Sequence, residues 1–258
     1  MDLTSFKLLG EAFAFAFANR RQVLAVALFP FCAIALHTLT FTFSPWFLAL
    51  NLLILLLLAP FKIDLFRLFL LGEKPEGNHA GRLFRRRELK FFLYEVGLTF
   101  FICGLLIVAW LIAMRAGETW ETVGAPLRLG SAVSVGLLLG LAFYCGLPAM
   151  LFFPSLSLDR NLPLTVLFNE ARPYRARIFF TVFWTFAVFF MIAAVLPQLP
   201  AASQGAAAGP ALALAIALLD SCLSLAANIV ITLAVAAVFK HSVMTAPQPR
   251  ITDKDLAA

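Results

Sequence analysis

"NRRQVLAVALFPFCAIALHTLTFTF", residues 19–43, sets two arginines ahead of 22 residues that carry no lysine, arginine or carboxylate, and Ser44-Pro45 follows it. In an α-helix about twenty apolar residues cross the roughly 30 Å of hydrocarbon in a bilayer. Backbone N–H and C=O groups find no water there, so the segment must satisfy them internally as a helix. A cleavable export signal would begin with a short basic region and end at a small-residue cleavage site. Here eighteen residues precede Asn19, and Phe41-Thr42-Phe43, not Ala-x-Ala, stands directly before Ser44. The stretch therefore reads as a retained first span, with twin-arginine export as the alternative. Pro30 is expected to kink that helix without ending it.

The rest of the chain repeats the pattern. Of 258 residues, 62% are hydrophobic and 13% charged, and the mean hydropathy is +0.93. A water-soluble domain carries about 25% charged residues, so such a surface does not suit water. Twenty-eight phenylalanines against three tyrosines and four tryptophans also favour contact with lipid, since a ring without a polar atom can sit at any depth. Apolar stretches of spanning length lie at about 22–43, 46–71, 91–114, 129–153, 178–199 and 210–239. The expected fold is all-α: one polytopic membrane domain over 1–258 with six transmembrane helices.

The placement of charge sets the expected orientation. With the N-terminus inside, eighteen lysines and arginines fall on the inner side and only Arg115 and Arg128 on the outer. Positive residues collect on the cytoplasmic side of short-looped membrane proteins, so both termini are expected in the cytoplasm. Trp46, Trp110 and Trp120 then fall near the outer boundary, as an aromatic belt would. Two segments are expected to lie along the inner surface as amphipathic helices, about 3–18 and 162–172. In the first, Phe6, Leu9, Phe13 and Phe17 share a face, and Lys7 and Glu11 can pair at i,i+4. In the second, Asn161 can cap, Pro163 suits the first turn and Pro173 ends the helix. The two units around Glu11–Arg21 and Glu170–Arg177 hint at an internal repeat.

The segment "LFFPSLSLDRNLPLTVLFNEARPYRARIFF", 151–180, resembles the membrane domain attached to some bacterial glycerophosphoryl diester phosphodiesterases and related multi-pass inner-membrane proteins. Pro154, Leu156, Asp159 and Arg160 match the end of a span in that group, and Arg172 to Arg177 its basic turn. "DLFRLFLLGEKPEGN", with Arg67, Leu71, Gly72 and Glu73, resembles a second recurring segment. The matches cover about a fifth of the chain, and Pro173-Tyr174 replaces the expected glycine turn. The resemblance implies a helical fold in a bacterial inner membrane, without the catalytic domain and without known catalytic residues.

Few polar residues are placed to carry a function. Asp220, near the middle of the last stretch, would cost at least ~2.5–3.5 kcal/mol as a charge in hydrocarbon. With Ser224, Asn228 and Thr232 it forms an i, i+4, i+8, i+12 stripe, and His37 lies at similar depth. The stripe reads as a proton or substrate site, or more plainly as a protonated carboxyl bonded to a neighbouring helix. Lys62, Asp64 and Arg67, facing Glu95, read as an inner-side anion pocket or as a charge network that fixes helix depth, with Asp64 paired to Arg67. Arg82, Arg85, Arg86, Arg87 and Lys90, in "GRLFRRRELK", form a cluster of the kind that attracts anionic lipid head groups at about 1 kcal/mol per basic residue. Gly136 and Gly140 form a small-xxx-small step for close helix approach.

Cys32, Cys103, Cys145 and Cys222 lack metal-ligand or redox spacing and read as small core residues, without disulfides. No metal or cofactor motif, nucleophile elbow or phosphate loop occurs, and no nucleic-acid-binding fold surrounds the basic cluster. The expected role is non-catalytic: a scaffold, an accessory subunit of a larger membrane assembly, or a modulator of the lipid environment. The alternative is a transporter or lipid-handling carrier that uses the polar face around Asp220. Expected partners are membrane lipids with anionic head groups and other membrane subunits, with no cofactor, metal or nucleic acid.

Overall fold

A computed structural model describes residues 5–40, 47–76, 79–118, 149–160, 162–176 and 210–244, together with 137, 138, 140, 146, 179–181, 184 and 185. Among the described residues the regular elements are helices, and there is no strand. They are α1 (Ser5–Ala18), α2 (Arg20–Thr40), α3 (Phe47–Leu71), α4 (Arg86–Glu118), α5 (Phe152–Ser157), α6 (Leu164–Ala171) and α7 (Pro210–Phe239). Single 3₁₀ turns occupy Ala80–Arg82 and Arg172–Tyr174, and a π-helical turn, Lys240–Met244, ends α7.

Two helices, over Ala49–Leu71 and Ala217–Met244, are long and apolar enough to cross a membrane. The pair Phe6–Ala18 and Arg20–Leu36, bent by 90°, makes a third if it is one span. The bend sits at Asn19. Its side-chain amide and its N–H both donate to the Phe15 carbonyl, at 3.1 and 2.9 Å, which closes α1. Its own carbonyl accepts from Gln22 and Val23, which opens α2. One polar residue thus serves both helix ends. As expected, Pro30 does not end the helix: α2 runs on through it to Thr40. The expected stretches 129–153 and 178–199 lie largely outside the described residues, as do Trp46, Trp120 and Gly136.

Helix ends elsewhere follow from local chemistry. α3 stops because Gly72 takes φ +69°, a left-handed conformation open to glycine, and its N–H donates to the Leu68 carbonyl. α6 starts after Pro163, which itself occupies the cap position expected of Asn161; its carbonyl accepts from Val166 and Leu167. Asn161 lies outside the described residues.

The core forms around the last turns of α7. Every residue from Leu233 to Phe239 is buried, so this part of the helix is enclosed on all sides, whereas Leu214, Leu218 and Leu219 are exposed. Ala234, Ala236 and Ala237 keep the post slim, and α1, α2, α3 and α5 pack against α7. Aromatic rings fill the gaps: Phe15 meets Phe69 edge-on at 4.8 Å, and Phe91 lies 4.8 Å from Phe153 and 6.2 Å from Phe66. A second cluster joins Val26 and Ile34 of α2 to Phe61 and Leu65 of α3 and Leu225 of α7.

One packing expectation is corrected. Cys32, Cys103 and Cys222 are exposed on helix surfaces and free of disulfides, not core residues; a thiol is apolar enough to face outward from such helices. Cys145 lies outside the described residues. Among the described residues a methyl group at Gly140 would meet nothing within 4 Å, whereas one at Gly146 would lie 3.6 Å from Ile102; Gly136 lies outside the described residues.

Overpacking should separate the two halves of α7. Ala236→Leu is expected to destabilise the detergent-solubilised protein by about 1–3 kcal/mol. Leu214→Ala should stay within about 0.5 kcal/mol, both measured by thermal unfolding.

Candidate functional site

Sequence charges that lie far apart converge at one end of the bundle, where α3 finishes and α4 begins. The connection from Gly72 to Arg85 doubles back along α3 and carries Arg82 to Asp64. Arg82 Nη1 donates to both oxygens of Asp64, at 2.8 and 3.0 Å. Its Nε and Nη2 donate to Glu88 Oε1 in the first turn of α4, at 3.1 and 3.0 Å. His79 Nε2 donates to Asp64 Oδ2 at 3.1 Å, and its ring stacks on Phe29 of α2. Arg82 and Glu88 are 1% and 0% exposed. Arg87 Nη2 adds a second cation to Glu88 at 3.2 Å. Two carboxylates then face two guanidinium groups. Burial alone would lower the Arg82 pKa, but its bonds to Asp64 and Glu88 and the charges of Asp64 and Glu76 outweigh that and raise it.

Beside this lies a more open set. Arg67 pairs with Glu73 at 2.6 Å and with Asp159 at 3.2 Å, and donates to the Ser157 carbonyl at 3.1 Å. Arg87 reaches Asp159 at 3.5 Å. Asp159 is held there by its backbone. At the end of α5 its N–H donates to Leu156 and the N–H of Arg160 to Ser155, the two bonds of a Schellman turn. The turn needs a left-handed residue, and Asp159 supplies it at φ +58° in place of the usual glycine. Such a conformation costs about 1–3 kcal/mol, and Asp tolerates it better than most residues. The gain is a carboxylate set between Arg67 and Arg87.

The expected partners are thus redistributed. Asp64 does not pair with Arg67, one turn along the same helix; it is enclosed with Arg82 and His79. Arg82 is buried and does not face a head group. Arg85 is exposed and paired with Glu76 at 2.9 Å. Arg86 and Lys90 form no ion pair among the described residues, and with Arg87, Leu156 and Asp159 they line an open hollow of about 300 Å³. Lys62 pairs with Glu95 across α3 and α4, both half-buried. Asp220 is half-buried with no hydrogen bond among the described residues, while Asn228 donates to the carbonyl of Ser224 one turn back. His37 belongs to α2, which packs against α7, but its side chain lies outside the described residues.

Sequence reading missed His79 and Glu88 as partners, and it missed a clasp across the bundle. Glu11 of α1, expected to pair with Lys7, meets Lys240 and His241 beyond α7, each at 2.9 Å. The one available signal was an acid inside each basic run, Glu88 in "RRRELK" and Glu11 ahead of Arg20-Arg21. Among the described residues no group of three His, Cys, Asp or Glu side chains is placed to hold a metal ion. No protein-family model, curated protein or solved structure matches the chain.

Two predictions follow from these pairs. Removing one member of a buried ion group leaves the others uncompensated, so Arg82→Met should cost about 3–5 kcal/mol in thermal unfolding. Adding Asp64→Leu and Glu88→Met to it should recover most of that loss. Burial pushes the Glu11 carboxyl up, yet the hydrogen bonds and charges of His241 and Lys240 prevail and hold it below its ordinary 4.5. A lowered carboxyl pKa stabilises the fold above the unfolded value and ceases to do so as the pH falls through the folded one. Wild-type protein should therefore lose its stability advantage over Glu11→Gln as the pH drops below 4.5, and keep it at pH 7.

Proposed function

We propose that the chain is a six-span protein of a bacterial inner membrane with both termini in the cytoplasm. Its role is non-catalytic: a scaffold or accessory subunit that holds anionic lipid head groups at its inner face. The observation that carries this reading is the pair Arg86 and Lys90, which form no ion pair among the described residues and line a hollow with Arg87, Leu156 and Asp159. In the same run Arg82, Arg85 and Arg87 are paired with carboxylates, which leaves Arg86 and Lys90 for a phosphate. Lys and Arg near a membrane surface attract anionic lipid at about 1 kcal/mol each.

Other features support the same orientation. Phe6, Phe13 and Phe17 are exposed along one side of α1, while Leu8 and Ala12 pack inward. A helix set at 90° to α2 with an outward phenylalanine stripe suits the boundary between head groups and acyl chains. α4, at 33 residues, is about 50 Å long, enough to cross the hydrocarbon and continue into the charged end. The resemblance of Pro154–Arg160 to a span terminus in the phosphodiesterase-linked membrane domains agrees with an inner-side Asp159. A carrier built on Asp220 draws less support, because the amide of Asn228 bonds back to the Ser224 carbonyl of its own helix.

The test is lipid retention in nanodiscs of phosphatidylcholine with a small fraction of phosphatidylglycerol, read by native mass spectrometry. Arg86→Gln/Lys90→Gln should lower retained phosphatidylglycerol by roughly thirtyfold, the weight of two such contacts. Retention equal to wild type would refute the assignment.

A further inference from the structure

A second hollow, of about 320 Å³, opens between the first turns of α2 and the connection that follows Gly72, and it shares no lining residue with the hollow of Arg86 and Lys90. Arg21 of α2 and Lys74 of the connection line it. Both are exposed, and neither forms an ion pair among the described residues. The acids on either side of Lys74 are engaged elsewhere, Glu73 with Arg67 and Glu76 with Arg85. His79 adds a polar wall and is itself only 5% exposed. Its Nε2 is committed to Asp64, which Arg82 holds from the other side, and Phe29 stacks on the ring. Nδ1 has no hydrogen bond among the described residues and is not one of their enclosed polar atoms, so the open part of the ring carries that nitrogen. Ala25, Val26 and Pro75 supply apolar walls.

Two cations without acids favour an anion, and Nδ1 narrows which one. With Nε2 donating to Asp64, a neutral ring presents a lone pair at Nδ1. A phosphodiester oxygen would set its own lone pair against that one unless the ring took a proton from solvent. A phosphomonoester can bring the proton itself, because its second ionisation lies near pH 6. One proton is then shared between a phosphate oxygen and Nδ1. The remaining oxygens carry the charge that Arg21 and Lys74 complement, and a guanidinium can hold two of them at once.

We infer that this hollow binds a phosphomonoester, with Arg21 and Lys74 on its oxygens and His79 Nδ1 sharing its proton. The surroundings suit one carried by a lipid. Ala25 stands one turn beyond Arg21 along α2, and Leu24 and Leu28, each 66% exposed, continue that side of the helix. An acyl chain attached to the phosphate would follow them. The inference rests on the reading of the chain as a membrane protein and does not depend on Arg86 and Lys90.

The experiment uses the full chain in nanodiscs of phosphatidylcholine with a small, equal fraction of phosphatidate or of phosphatidylmethanol, its methyl diester, and counts bound lipid by native mass spectrometry at pH 7. Wild type should retain phosphatidate about tenfold over phosphatidylmethanol, the weight of one added hydrogen bond. Arg86→Gln/Lys90→Gln should keep that preference, which separates this site from the head-group hollow. Arg21→Gln/Lys74→Gln, at exposed positions that leave the fold intact, should lower retained phosphatidate roughly thirtyfold. In His79→Gln the side-chain amide can still donate to Asp64 but nothing replaces Nδ1, so the preference for the monoester should vanish. Glycerol 3-phosphate offered without phosphatidate identifies the source: adducts lost in Arg21→Gln/Lys74→Gln mean a soluble phosphomonoester, and retention of phosphatidate alone means a lipid. Wild type that neither prefers phosphatidate nor holds glycerol 3-phosphate would overturn the inference. So would binding that survives Arg21→Gln/Lys74→Gln, a preference lost with Arg86 and Lys90, or one unchanged in His79→Gln.

Discussion

One guanidinium group organises the charged end of this molecule. Arg82 spans Asp64 on α3 and Glu88 on α4, and by doing so it forces the connection between those helices to fold back along α3. His79 travels with it and closes onto Asp64 and onto Phe29 of α2. Three helices are thereby fixed in angle and depth by one buried cation and its partners. The group is held because its charges cancel locally; two carboxylates with only one guanidinium would leave a net charge in a site that excludes water.

The apolar packing and the charge cluster depend on each other. With α3 and α4 clamped at one end, Phe66 and Phe91 are brought against Phe153, and the alanine-lined turns of α7 pass between α1, α2, α3 and α5. Glu11 then locks α1 across the terminus of α7 through Lys240 and His241. In lipid, apolar residues gain little by leaving their surroundings, so close contact and satisfied polar groups decide which helices associate. The small residues of α7 and the paired charges beside them supply both. Chain exposed to lipid or solvent, such as the outer face of α4 at Leu93, Phe100 and Ile107, is free of that constraint.

Much of the helical class was legible from residues alone, because an apolar run of spanning length admits few structures. α1, α2, α3 and α7 fall within a few residues of the expected segments, and α4 starts earlier than expected, at Arg86 instead of 91. The basic extension of α4 misled because it is polar, yet it forms helix against the other charged ends. Ion-pair partners were legible only in part. The pairing of Lys62 with Glu95 follows from equal depth on adjacent helices. Asp64 with Arg82 does not, because helix periodicity offers Arg67 first, and only the folded connection brings Arg82 near. In the same way "GRLFRRRELK" reads as one uniform patch, while the fold divides it into a buried Arg82, a paired Arg85 and Arg87, and an Arg86 and Lys90 that form no ion pair among the described residues. Lys240 and His241 lie 229 and 230 residues from Glu11, a separation that no local pattern reports.

The central proposal is that the charged end built on Arg82 lies on the cytoplasmic side. Single cysteines placed at Lys74 and at Arg160, in a chain whose own four cysteines are replaced by alanine, address it directly with a membrane-impermeant maleimide. Both positions should label in inverted inner-membrane vesicles and stay unlabelled in intact spheroplasts. Labelling of either one from the outer side would contradict the account.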